Sequence, residues 1–314
     1  MPPQHGSPFK RLWQSQYPFE YWSNRLEKIN RYNQADRLEA LYSLVQLSDI
    51  YLHIFVAYAQ DPDMPWFMLK EETLPWDIRD ISDELRLDDM ITVGSLVENG
   101  ENTITVETRE EFDIHEMDAI AAGVLGCPYD VDEESMSVEF EESPDLHRGV
   151  ANAILNFAEG NRALLNDFKH GFRILPVTPD EIELWLQSSV LLNEPDQEEF
   201  ERKLEALREQ HEQDEWAFSF VRIDPDDEPE YGYDLHLDLY HVDAWTCYKF
   251  AELTLDALYN LISPGHGKLL EESVSEIPIE MLEGKDSFID HIFRFGTPIR
   301  DNPDIVVPPE EFMS

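Results

Sequence analysis

The one concentration of basic side chains in this chain is the run Asn161-Arg162-Ala163-Leu164-Leu165-Asn166-Asp167-Phe168-Lys169-His170-Gly171-Phe172-Arg173. A helix ending near His170 sets Arg162, Asn166, Lys169 and His170 at offsets of 0, 4, 7 and 8, which is one helical face. Arg173 follows just past Gly171, the residue suited to a left-handed helix stop. A guanidinium, an amide, an ammonium and an imidazole gathered there could hold a phosphate or RNA backbone. The imidazole could also move a proton. The competing reading is structural: basic residues at a helix C-terminus complement its dipole and pair with nearby acids.

Other constellations carry less. In the run Asp234–Val242, alternation sends Asp234, His236, Asp238 and Tyr240 to one side and Leu235, Leu237 and Leu239 to the other. His236, Asp238 and His241 are residue types that bind zinc or iron. His241, however, falls on the opposite side of the pleat unless a bulge intervenes, and a strand with one polar, solvent-facing side is the alternative. Asp49 and His53, one helical turn apart, read as a proton relay or as a satisfied polar stripe. A Gly-rich phosphate loop, a nucleophile elbow, a His-Glu-x-x-His motif and paired-cysteine zinc spacing are all absent from the sequence, so no cofactor is expected. Cys127 and Cys247 read as two free buried thiols.

What makes the basic run conspicuous is its background. The 314 residues include 67 Asp+Glu against 23 Lys+Arg, a net charge of −44. Such a charge opposes compaction at low ionic strength. Yet 42% of the residues are apolar, with seven Trp, twelve Tyr and seventeen Phe, a composition that disordered acidic chains lack. The chain is therefore expected to fold where its charge is screened, as at molar salt, where the Debye length is about 3 Å. Its basic residues are mostly Arg, whose guanidinium is more weakly hydrated than the lysine ammonium. These features point to the cytoplasm of a salt-accumulating halophile. An acidic mimic of nucleic acid, or a chaperone for basic proteins, would group its acids in blocks. Here they are dispersed, as at Asp77, Asp80, Asp83, Glu84, Asp88 and Asp89. The N-terminus has no apolar leader. The apolar run Leu41–Ala59, interrupted by Ser43, Gln46, Ser48, Asp49 and His53, reads as a core helix and not as a membrane span.

Periodicity organises the rest into a mainly helical α+β fold. Residues 1–18 form a proline-bearing arm. Residues 19–175 read as a helical bundle, with helices near 19–32, 34–60, 110–125 and 143–170, a strand at 103–108 and an edge strand at 136–140. Residues 176–314 read as an α+β part. In it come a helix opened by Pro179, a charged helix over 198–213, and a long-looped hairpin from Trp216 to Val242. A helix over 244–262 and a proline-rich tail follow. The hairpin, or a small antiparallel sheet, is expected to pack on helices, and no flexible linker separates the two parts, so one shared core is open.

A long helix pair followed by a helix ending in Asn166-x-x-Lys169-His170-Gly171 resembles the helical domains of the HEPN class, over residues 19–175 at most. The resemblance implies metal-independent RNA cleavage, with His170 as general acid/base and Arg162 stabilising the transition state. Asn166, Lys169 and Arg173 would hold the RNA. The spacing departs from the family: seven residues separate Arg162 from His170, against four to six. Arg109 and His115 have five between them, a match that chance alone supplies. Two functions therefore stand side by side. One is a non-enzymatic interaction or regulatory protein with a protein partner or a second copy, and no membrane. The other is an HEPN-like, endoribonuclease-like protein acting through Arg162–Arg173.

Overall fold

The structure, a computed structural model, describes residues 17–60, 103–105, 111–113, 125–132, 137–169, 174–187, 197–225, 234–263, 267–278 and 288–298. These form an α+β fold of helices and small antiparallel sheets. In chain order the elements are α1 (Phe19–Leu26), α2 (Gln34–Gln60), β1 (Thr103–Thr105), β2 (Glu111–Asp113), β3 (Tyr129–Asp132), β4 (Ser137–Phe140), α3 (Pro144–Gly160) and α4 (Arg162–Lys169). Then come β5 (Ile174–Val177), α5 (Pro179–Gln187), α6 (Gln197–Gln213), β6 (Ala217–Pro225), β7 (Asp234–Asp243), α7 (Ala244–Ile262), α8 (Glu271–Ser275) and β8 (Ile289–Pro298). The chain divides into two compact units: Met1–Ile29 with Ala40–Leu165 and Thr246–Ser287, and Asn30–Glu39 with Asn166–Trp245 and Phe288–Ser314.

The first unit is mostly helical. From Ala40 to Ala57, α2 buries Leu41, Leu44, Leu47, Tyr51, Phe55 and Val56 among others, so its apolar surface runs nearly all the way round. Such a helix belongs at the centre of a core. It is long and apolar enough to cross a bilayer, but 72% of that apolar window is buried inside the protein. On α3, Val150, Ile154 and Phe157 recur at helical spacing and are buried, and the Phe157 ring meets Phe250 of α7 edge-on at 5.8 Å. Arg25 of α1 lies over the rings of Trp22 and Tyr42, at 5.2 and 4.8 Å, covering apolar surface with its own stem. Beyond α7 the chain is held by Asn260. Its Nδ2 donates to the Lys268 carbonyl at 2.8 Å, and its Oδ1 accepts from the Lys268 N–H at 2.6 Å. Gly126, at φ +70°, sits directly against this knot: a Cβ there would come within 2.5 Å of the Asn260 carbonyl carbon.

The second unit is built on the antiparallel sheet β5-β6-β7-β8. Helix α5 starts where the sequence carries a capping box. The Thr178 N–H donates to Glu181 Oε2 at 2.7 Å, the Glu181 N–H donates back to Thr178 Oγ1 at 3.3 Å, and Pro179 takes the first helical position. Ile182 of α5 and Leu204 and Leu207 of α6 pack with Val177, Val221 and Leu239, which cover one face of the sheet. In the register, Val221 faces Leu239 and Ile223 faces Leu237, while Phe220 faces Tyr240 and Arg222 faces Asp238. Alternation therefore gives the hairpin one aliphatic face and one face that mixes aromatic with charged residues.

Three elements differ from the sequence reading. Residues 111–113, expected to be helical, are β2, paired with Thr103–Thr105. The helix expected to run unbroken from 143 to 170 is interrupted by a turn at Asn161. Helix-type bonds continue through it, from Asn161 N–H to Phe157 O at 3.0 Å and from Leu165 N–H to Asn161 O at 3.1 Å. Within the stretch expected to be a proline-rich tail, β8 is a ten-residue strand against β7. The arm at residues 1–16 and the short helix expected near Trp76–Leu85 lie outside the described residues.

Gly126→Ala is expected to destabilise the protein by about 2–4 kcal/mol, since a side chain there meets both a left-handed backbone and the Asn260 main chain. Urea unfolding measures it, and a variant as stable as wild type would contradict the close approach.

Candidate functional site

The sequence singles out α4, and its last turn leads into the charged face of the second unit's sheet. Arg162, Asn166 and Lys169 all lie on α4. Asn166 is exposed, whereas its neighbour Asp167 is buried and ion-paired with Arg222 of β6. His170 and Arg173 lie outside the described residues, as do Arg109 and His115.

Across the sheet from Arg222, the register places Asp238 on β7 and then Arg294 on β8. The Asp238 side chain is 3% exposed and accepts a two-pronged contact from Arg294, Nε to Oδ1 at 2.7 Å and Nη2 to Oδ2 at 2.9 Å. His291 Nε2 lies 3.1 Å from the same Oδ1. Residues three apart on a regular strand point to opposite faces. His291 and Arg294 both reach Asp238 because the register of β8 shifts between Leu239 and Tyr240, leaving Ile292 as an extra residue. Lys203 Nζ donates to the Ile292 carbonyl at 3.1 Å and so satisfies the bulge. Tyr240 stacks on Phe220 at 5.0 Å, and the His291 ring meets Tyr240 edge-on at 5.2 Å. Burial alone would raise the Asp238 carboxyl. The hydrogen bonds from Arg294 and His291, with their charge, outweigh it and hold the group below the ordinary carboxylate range.

This geometry leaves His236 and Asp238 on one face of β7 and His241 on the other. His236 sits in the ladder between Asp224 and Gly296. The oxygens of Asp238 are engaged by Arg294 and His291. His241 belongs to the other face of β7, because the bulge lies on β8 and leaves the alternation of β7 intact. Among the described residues no group of three or more His, Cys, Asp or Glu side chains could hold a metal ion.

On that other face, His241 meets His211 of α6 with ring centroids 5.7 Å apart, and His211 Nε2 is 3.0 Å from Ser219 Oγ. Burial pushes His211 down to about 4, with the charges of His241 and Arg37 adding to it. His241 is lowered too, by burial, against the pull of Asp290, Asp214 and Asp243. A hydroxyl beside a neutral imidazole has the types of a nucleophile and base, but Ser219 is completely buried and no substrate reaches it.

The first unit holds a second buried polar set. His147 Nε2 is 2.9 Å from Glu142 Oε2, and the Glu142 carboxylate also accepts the N–H groups of Leu270 and Glu271, both at 2.8 Å. With that carboxylate ionised, Nε2 carries the imidazole proton and donates it. Nδ1 is then a bare acceptor, buried and without a partner among the described residues. Nearby Cys127 is buried, and burial pushes its thiol up to about 12, so it is no nucleophile. Asp49 and His53 lie 3.5 Å apart with side chains 23% and 40% exposed, a polar stripe and not a buried relay. An open groove of about 320 Å³ between α1 and α7 is lined by Phe19, Tyr259 and Lys268, but Lys268 is already ion-paired to Asp256.

No family model, no curated protein and no solved structure matches this chain.

Arg222, Arg294, His291 and Asp167 were not singled out by the sequence reading. The alternation around Phe293 and Phe295 could have marked a strand. The bulge that turns His291 toward Asp238 leaves no signature in residue types.

Asp238→Asn is expected to cost about 1–3 kcal/mol, less than in a fully buried pair because Arg294 is half exposed. The sign follows from the lowered carboxyl. Its contribution is complete above the unfolded pKa of about 4 and is lost as pH falls through the lower folded value, so wild type and variant should converge in acid. His211, at about 4 in the folded state, gives a second signature. Its contribution is present above the unfolded value of about 6.5 and is lost as pH falls toward the folded one. His211→Gln should therefore flatten the decline of unfolding free energy across that window, and an unchanged slope would contradict its neutral burial.

Proposed function

We propose that the chain is a non-enzymatic interaction or regulatory protein that works in a cytoplasm of high ionic strength. One observation supports this: among the described residues, the buried carboxylates that might do chemistry are engaged by neighbouring groups. Asp238 is held by Arg294 and His291, Arg222 pairs with Asp167, and Glu142 is filled by His147 and two backbone N–H groups. Catalytic sets leave an acceptor or donor free to meet a substrate; the oxygens of Asp238 and Glu142 are instead taken up by partners within the protein. The proposal extends to architecture: the helices of the first unit form a bundle about α2, and the C-terminal strands with their helices form the α+β part.

High salt enters through the charge of −44, which needs screening for a stable compact state. Circular dichroism melts should show a midpoint higher by on the order of 10 °C in about 2 M than in about 0.1 M KCl. A flat or falling midpoint would remove the salt-adapted part of the reading.

The competing activity, RNA cleavage by Arg162 and His170, is tested on the same preparation. Labelled single-stranded RNA incubated in molar KCl should stay intact with wild type and with His170→Ala alike. Cleavage by wild type that His170→Ala abolishes would replace the interaction reading with the ribonuclease one.

A further inference from the structure

In the second unit a pair of touching tryptophans, Trp216 half-buried and Trp245 exposed, is linked through Glu215 to Arg31 and the exposed Tyr32. The rings of Trp216 and Trp245 contact at a centroid distance of 5.3 Å. Both are held by the same local device, an aspartate two residues earlier that accepts the tryptophan N–H: Asp214 Oδ1 at 2.8 Å from Trp216 N, and Asp243 Oδ1 at 3.0 Å from Trp245 N. The Ala244 N–H donates to the Trp216 carbonyl at 3.3 Å and ties the two turns together. Next along the surface, Arg31 reaches Glu215 with Nε at 3.1 Å from Oε2, and its guanidinium lies 4.8 Å from the centre of the Tyr32 ring. Tyr32 is 66% exposed and Trp245 41% exposed.

Single exposed aromatics are ordinary. This group differs in being contiguous and in being fixed. Rings anchored on hydrogen-bonded turns lose little conformational freedom when a partner covers them. Trp, Tyr and Arg are also the residues that dominate binding energy at protein interfaces. The surrounding charge selects the partner. Asp214 and Glu215 are exposed beside the rings, on a chain of −44. A second copy of this chain, or a nucleic acid, brings further negative charge to that face, whereas a cationic segment matches it. Arg31 displays the recognition in miniature: one arginine stacked on an aromatic ring and paired to a carboxylate at the protein surface. Such contacts act at van der Waals range, so they persist in salt that abolishes long-range attraction.

We propose that the Tyr32–Trp216–Trp245 surface docks an arginine-bearing segment of a basic protein partner. The inference rests on the reading of the chain as an interaction protein. Its test is titration of the full-length protein, in about 1 M KCl, with acetylated nona-arginine and nona-lysine peptides, followed by tryptophan fluorescence and calorimetry. The arginine peptide should bind at least about tenfold more tightly than the lysine peptide, because a guanidinium stacks where an ammonium does not. Trp245→Ala and the fully surface-borne Tyr32→Ala should each weaken it by about tenfold, Trp245→Phe should retain it, and Glu209→Gln on the exposed side of α6 should leave it unchanged. Equal binding by wild type, Trp245→Ala and Tyr32→Ala would overturn the proposal. So would a dimer seen by light scattering that Tyr32→Ala dissolves, which would assign the surface to a second copy. RNA cleavage by the wild type would instead sink the functional reading beneath it, a result that peptide binding cannot produce.

Discussion

Electrostatic self-repulsion is the constraint on which the rest of this structure depends. With three acids for each base, a random surface arrangement would leave most carboxylates facing other carboxylates. Among the described residues, two of the bases each meet several acids. Arg208 meets Asp180, Glu183 and Glu205, and Lys249 meets Glu252 and Glu276. Exposed pairs of this kind contribute little individually. Their effect here is to lower local charge density at helix surfaces that would otherwise repel. The buried acids need more than that, and Asp167 and Asp238 each receive a guanidinium of their own, from Arg222 and Arg294. An arginine suits this task because its fork satisfies both oxygens of a carboxylate at once.

The same constraint explains why polar residues inside the molecule join closed sets. A lone carboxylate in the interior costs several kcal/mol unless paired and hydrogen-bonded. In a chain this acidic, folding offers many chances to bury one. Glu142 shows the solution used where no arginine is at hand: two backbone N–H groups at the start of α8 and one imidazole complete its shell. Burial lowers His147, His211 and His241, against the pull of Glu142 on His147 and of Asp290, Asp214 and Asp243 on His241. Neutral burial of His211 is therefore favoured at neutral pH and is lost toward about 4.

Elements defined by local chemistry were legible in the sequence. The α7 helix, the hairpin of β6 and β7, and the start of α5 at Pro179 follow from periodicity and capping, which act over a few residues. Elements defined by a distant partner were not. Residues 111–113 have a helical pattern that pairing with Thr103–Thr105 overrides, and β8 hides among prolines that mark its end and not its absence. The site suffered most from this. The sequence offered His236, Asp238 and His241 as metal-binding types close in number, with His241 on the opposite side of the pleat unless a bulge intervened. The sheet instead joins Asp238 to residues 53 and 56 positions away, through a bulge that no composition announces.

The exposed ring of Trp245, with the half-buried Trp216 against it, stands against this economy. A protein that screens its surface with carboxylates gains solubility from every polar position, and a tryptophan in water forfeits it. Local packing does not demand the Trp245 ring outside. Each tryptophan is fixed by an aspartate in its own turn, so the backbone would keep its shape with a smaller residue there. Elsewhere in the second unit large rings are put away, with Phe218 and Phe220 wholly buried in the strand that Trp216 precedes. The Asp243 turn therefore holds the Trp245 ring partly in water, at a cost in solubility. A cost of that kind is maintained where something outside the molecule covers the surface.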